Sequence, residues 1–373
     1  MTSPAPSRVA FAAAHVVADP AADTSPGARA VLDWDATLAF RHHLWDLGLG
    51  VADAMDTAQR GMGLDWAACR ELIERSGAEA AGRGARLACG VNTDQLDNPG
   101  PGPGPGPGPG AGAGLDRVVD AYLEQLAVVE GAGAQPIVMA SRALARAAGH
   151  AEDYHEVYAR VLSQASRPVI LHWLGEMFDP ALRGYWGASD LDGATASVIE
   201  LIRAHTGMID GIKVSLLDAE REVAIRRELP QGVRLYTGDD FHYPELIRGD
   251  DLGHSDALLG VFDPIAPRAA AALDALDHGD DQRYAAILEP TLPLARHLFA
   301  APTFHYKTGI VFLAWLGGHQ SHFTMVSGAQ SARSATHLIE LARLADELEL
   351  FPDPDLAAAR LRAYRTVSGQ DAP

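Results

Sequence analysis

Short apolar runs alternate along most of this chain with longer segments in which apolar residues recur every three or four positions. VAFAAAHV at 9–16 is the first run, and others fall at 50–56, 86–92, 135–140, 168–173, 209–214, 233–238 and 257–262. Each is short, bounded by turn residues and predominantly apolar, as expected of strands buried on both faces. Between them, 116–130 places Val118, Val119, Tyr122, Leu123 and Leu126 on one helical stripe, and 154–164 and 191–204 read the same way. Asp153 and Asp190 suit the N-terminal turns of the last two. Eight strands joined by seven crossovers predict an α/β fold, a parallel TIM (β/α)8 barrel. A doubly wound open sheet is the alternative, but no G-x-G-x-x-G follows the first strand.

Two segments depart from the alternation. Residues 99–114 read PGPGPGPGPGPGAGAG, a stretch that can hold neither helix nor ladder and is expected to be an extended, mobile insert. Beyond 265 the strands stop, and 267–279, 281–299, 308–316, 332–350 and 355–366 all read as helices. The expected organisation is a barrel over 1–265 and a C-terminal helical region over 266–373 packed on it, offering a surface for homo-oligomer (dimer or tetramer) formation.

Composition narrows the partners. Net charge is −19 and basic residues form no cluster, which disfavours nucleic acid and anionic membranes. Cys69 and Cys89 have neither disulfide-framework nor zinc spacing and suit a reducing compartment. The N-terminal run is too short and too weakly apolar to span a membrane, so a cytoplasmic location is expected.

Only two of the 30 basic residues are lysines, Lys213 and Lys307. Arginine can replace lysine at most surfaces, but it cannot form an imine or lose its proton at usable pH. Lys213 lies within GIKVSLLD, inside the predicted sixth strand. In a parallel barrel the strand C-termini form the active face. That rule gathers Asp56 and Thr57 after strand two, Asn92 to Asp94 after strand three, Ser141 and Arg142 after strand four, and His172 and Trp173 at strand five. Gly238, Asp239, Asp240 and His242 follow strand seven, and Asp263 follows strand eight. Asp94, Ser141 and Asp240 would equally serve as helix caps.

Within such a ring a lysine has a mechanism. Desolvation lowers its pKa, the neutral amine attacks a carbonyl, and the protonated imine stabilises a carbanion. His172, on the neighbouring strand, is the acid–base candidate; its structural alternative is a core histidine donating to a backbone carbonyl.

From 9 to 317 the chain resembles the dihydrodipicolinate synthase and N-acetylneuraminate lyase superfamily of class I aldolases. GIKVS resembles the motif whose lysine forms the Schiff base, which implies that role for Lys213. YTGDDFHYPELI (236–247), GVFDPIAP (260–267) and ARHLFAAPTFHYKTGIVFLAWLG resemble the segments that follow. Lys307 matches a lysine common in the last of these, a structural position. A divergent branch labelled only as a domain of unknown function shares PVILHWLGEMFDPALRGYWG and LYTGDD. The resemblance implies a lyase or dehydratase with no cofactor. The superfamily turn that binds a 2-oxo acid carboxylate reads MDTAQ here, with Thr57 matching a hydroxyl and Asp56 replacing one. The superfamily's strand-five tyrosine falls on His172, and its aromatic pair on Ser141 and Arg142. Asp56, Asp239 and Asp240 suit hydroxyls, so a sugar-derived ketone is the expected substrate, with Arg142 available to an acid group. Two other readings stay open. One is a metal-dependent isomerase or aldolase using Asp239, Asp240, His242, Glu245, His172 and the His319/His322 pair. The other is a non-catalytic sugar-binding barrel.

Overall fold

Eight parallel strands close into a barrel in the computed structural model, which describes residues 6–96 and 111–370. The strands are β1 (Ala10–Ala13), β2 (Gly50–Asp53), β3 (Leu87–Val91), β4 (Gln135–Val138), β5 (Val169–Leu174), β6 (Ile209–Ser215), β7 (Arg234–Thr237) and β8 (Asp256–Leu259). They pair in chain order, and β8 returns to β1. All eight expected strands are present, most of them shorter than their apolar runs. The runs continue past the last ladder bond into turns that are themselves buried, as Ala54, Met55 and Phe262 show. Most of the Pro-Gly stretch at 99–114 lies outside the described residues.

Helices between the strands wrap the barrel: α1 (Trp34–Asp46), α2 (Trp66–Arg83), α3 (Ala111–Gly131), α4 (Arg142–Ala147), α5 (Ala151–Leu162), α6 (Leu191–Ala204), α7 (Ala219–Glu228) and α8 (Tyr243–Arg248). Local chemistry sets their starts. The side chains of Asp33, Asp65, Ser141, Asp190 and Asp218 each accept a hydrogen bond from the first turn that follows. Asp153 lies in the first turn of α5.

The inward face of the barrel has two layers. Phe11, Ala52, Ala88, Ile137, Ile170, Tyr236 and Leu258 belong to an apolar cluster separate from the outer core. The Tyr236 ring fits because β6 carries glycine beside it: a Cβ at Gly211 would stand 2.8 Å from Tyr236 Cε2. Toward the strand C-termini this packing gives way to His172, Lys213 and Ser215, all buried.

The C-terminal region contains α9 (Ala266–Asp277), α10 (Asp281–Leu288), α11 (Leu292–Leu298), α12 (Tyr306–Leu316), α13 (Ala335–Glu347) and α14 (Pro354–Val367). The single helix expected over 281–299 is interrupted by a 3-10 turn, Glu289–Thr291. Pro290 and Pro293 supply no backbone N–H there and end the first helix. α12 is buried from Tyr306 to Ala314 and brings its first turn to the mouth of the barrel.

Candidate active site

Lys213 enters the site because β6 is paired on both sides. Its Cα is in register with His172 on β5 and Tyr236 on β7. The residue is 7% exposed. Among the described residues neither a hydrogen bond nor an ion pair reaches its Nζ. Burial pushes its pKa down, opposed by the charges of Asp56 and Asp240. Gly238 is part of this geometry: a Cβ there would lie 2.8 Å from Lys213 Cε and 2.9 Å from the Val214 carbonyl oxygen. The glycine of the TGDD turn thus lets that turn close over the lysine stem.

Asp240 and Asp239 have different duties. Asp240 Oδ1 accepts a 2.9 Å bond from Val261 N–H, which ties the β7 turn to the β8 turn. Desolvation pushes its pKa up to about 7, and the nearby Lys213 charge opposes that rise. Asp240 is therefore not the helix cap its position suggests. Asp239 instead closes the turn ahead of α8, accepting from the N–H groups of Phe241 and His242 and pairing with His242 Nδ1 at 2.9 Å. These three contacts engage both oxygens of its carboxylate.

His172 is fully buried. Its Nε2 lies 3.4 Å from Ser215 Oγ, and among the described residues Nδ1 has no partner. Burial, reinforced by Lys213, holds its pKa well below that of an ordinary imidazole. The ring stays neutral and lacks the carbonyl partner of a structural core histidine.

On the β2 side, Asp56 and Thr57 begin a 3-10 turn, Asp56–Ala58. The Asp56 carboxylate borders a small cleft with Arg142, His172 and Asp179. Thr57 Oγ1 meets the Tyr306 hydroxyl at 2.8 Å. Tyr306 stacks on Phe299 with ring centroids 4.4 Å apart and meets Phe178 edge-on at 6.2 Å. Desolvation raises the Tyr306 pKa well above a free phenol's, and Asp56, Asp240 and Asp263 add to the rise. The expected ring of strand ends contains no Tyr306, because it arrives from α12, 249 residues beyond Thr57. The available signal was a Tyr-Lys pair opening the most continuously apolar of the C-terminal helices.

Ser141 is a cap: its Oγ accepts from Leu144 N–H and meets Thr93 Oγ1 at 2.6 Å, which accounts for its burial without a ligand. Arg142 is at the cleft, with Nε donating to Asp179 Oδ2 at 2.5 Å. Asp94 pairs with Arg60. Of the residues offered as metal ligands, Asp239 and His242 pair with each other. His319 packs beside Phe40 and His43, while His322 Nδ1 accepts from Thr324 N–H. Among the described residues no three His, Cys, Asp or Glu side chains converge as a metal-binding group.

A closed eight-stranded barrel, a buried lysine on β6 and helices that re-enter the mouth define the class. Dihydrodipicolinate synthase from Aquifex aeolicus is similar over 92% of this chain and 99% of its own, with 14% identity and a TM-score of 0.68. YagE, a prophage protein of the dihydrodipicolinic acid synthase family from E. coli K12 solved with pyruvate, matches 93% of this chain and 100% of its own at 15% identity and TM-score 0.69. The Bacillus clausii dihydrodipicolinate synthase covers 91% and 97%, at 13% identity and TM-score 0.64. The fold is that of the dihydrodipicolinate synthases. The chain itself belongs to the family described as protein of unknown function (DUF993), which matches residues 1–370. No curated protein sequence matches it. Among the described residues no helix is long and apolar enough to cross a membrane.

Proposed function

We propose that the protein is a Schiff-base lyase or dehydratase acting on a small carbonyl compound, sugar-derived or a keto acid. One observation carries this reading: a lysine amine buried at the barrel mouth with no hydrogen-bonded or ion-paired partner among the described residues. Burying an ammonium in that way is costly, and the cost favours the neutral nucleophile.

The Lys213 amine attacks the substrate carbonyl carbon. Asp240, whose raised pKa lets it hold a proton near neutrality, takes up the proton the amine must give away. Loss of water from the carbinolamine leaves a protonated imine. Its C=N bond accepts the electron pair released when the adjacent C–C bond breaks or an α-proton departs. Neutral His172 receives the departing proton at a ring nitrogen and returns it to the enamine carbon. Hydrolysis of the imine then restores the free amine. The Tyr306–Thr57 hydroxyl pair stands beside this route, and the Tyr306 phenol, kept protonated by burial, donates to a developing alkoxide. Asp56 receives substrate hydroxyls.

The test is a pair of variants. Lys213→Arg keeps the charge and removes the nucleophile, and Lys213→Met removes both. Both should fold with unchanged circular dichroism and lose turnover of ketoses and keto acids by at least about 10⁴-fold. Retained turnover in either, with any substrate the wild type accepts, contradicts the reading.

A further inference from the structure

The second lysine is buried too, and the chemistry proposed above does not use it. Lys307, in the first turn of α12, is 3% exposed. Its Nζ lies 3.3 Å from Met62 Sδ and 5.0 Å from the centroid of the Tyr306 ring. A thioether is a weak acceptor. No carboxylate stands within ion-pair distance of this ammonium among the described residues. Two arginines nearby are engaged, buried Arg60 with Asp94 and half-buried Arg142 with Asp179. Arg142 also donates from Nη1 to the Gly61 carbonyl, next in sequence to Met62, so the guanidinium and the ammonium contact adjacent residues of one turn. Asp56 is within electrostatic reach of both Lys213 and Lys307.

We infer that Lys307, with Arg142 beside it, is the seat for an anionic oxygen group on the substrate, at the end of the molecule remote from the carbonyl. An anion would replace the Met62 sulfur on Nζ and give the buried ammonium the partner it lacks. Asp56, whose neighbour Thr57 bonds the Tyr306 next to Lys307, would meet hydroxyls in the middle of the chain and repel an anion placed there. The site therefore orders a substrate as carbonyl at Lys213, hydroxyls at Asp56 and anion at Lys307. A keto-sugar acid and a keto-sugar phosphate both have that order. The inference rests on the Schiff-base reading only for the carbonyl end.

Three probes test it without a known substrate: gluconate for the carboxylate, inorganic phosphate for the phosphoryl group, and sorbitol as the uncharged polyol. Their binding to the intact protein is measured calorimetrically. Wild type should bind one of the two anions saturably, and which one identifies the group. Lys307→Met should weaken that anion at least tenfold and leave sorbitol unchanged. Lys307→Arg should retain part of the affinity. Lys213→Arg should bind the anion as wild type does, so a failed Schiff base and a failed anion seat give different results. Equal anion binding by wild type and Lys307→Met, or no saturable binding of either anion, overturns the inference.

Discussion

Two kinds of buried cation occupy the barrel, and they are built differently. Arg41 is fully buried, and its guanidinium donates to both Asp53 oxygens, at 3.1 and 2.8 Å, and to the carbonyls of His15 and Thr37. Asp53 is completed by Ser76 Oγ at 2.6 Å and by Ala54 N–H. Arg60 likewise serves Asp94, Gln125 and two carbonyls. These arginines tie α1, α2 and α3 to β2 and β3. Lys213 and Lys307, buried to a similar degree, have no ion pair among the described residues. The scaffold surrounds Arg41 and Arg60 with acceptors and leaves the two lysine amines without counter-ions, an arrangement that costs stability.

Breaking each kind of site should therefore give opposite signatures. The largest effect falls on activity: Lys213→Arg removes turnover, as stated above, with little change in melting temperature. Next, Arg41→Met strands the Asp53 carboxylate in the core and should cost about 3–5 kcal/mol of folding free energy, measured by urea denaturation. A loss below about 1 kcal/mol would remove the contrast on the structural side.

Lys307→Met should act in the other direction and stabilise the fold. Burial holds Lys307 at about 8, against about 10.4 for an unfolded lysine. Between those values the unfolded chain binds more protons than the native one, so stability attributable to this group rises with pH across that window. Below pH 8 both states are protonated and the full penalty applies. At pH 7 the variant should gain on the order of 2–3 kcal/mol, a gain that fades toward pH 10. With only two lysines in the chain, selective ¹⁵N-lysine labelling gives two side-chain resonances to titrate. A Lys307 midpoint near 10.4 would contradict the burial argument.

The smallest effect expected is that of Tyr306→Phe. It removes one hydroxyl from the pair with Thr57 and keeps the stack on Phe299. Turnover should fall about 10- to 100-fold, with KM little changed. A change in KM alone would make Tyr306 a binding group.

Legibility in the sequence followed contact range. The eight strands and the inward lysine were readable because burial on both faces writes a continuous apolar run, and strand order then places residues without coordinates. Where two neighbours compete for one local role, sequence was silent. Asp239 and Asp240 are adjacent acids after β7, and only the backbone turn decides that Asp239 bonds back to Phe241 and His242 while Asp240 bonds across to Val261. Ser141 was legible as a cap and as a site residue, and its bond to Leu144 N–H makes it a cap. Tyr306, and the contacts that Lys307 makes, were hidden for a different reason. Their partners, Thr57 and Met62, are about 245 residues away, and no periodicity encodes which helix re-enters the mouth.

Condensation of the Lys213 amine with a carbonyl is open to chemical trapping. The protein is incubated with pyruvate, dihydroxyacetone and a panel of keto-sugars, reduced with borohydride, and its peptides are weighed. The account predicts that at least one compound adds its reduced mass to the peptide containing Lys213, and that Lys213→Arg abolishes the adduct. Unmodified Lys213 across the whole panel, or an adduct that persists in Lys213→Arg, would contradict it.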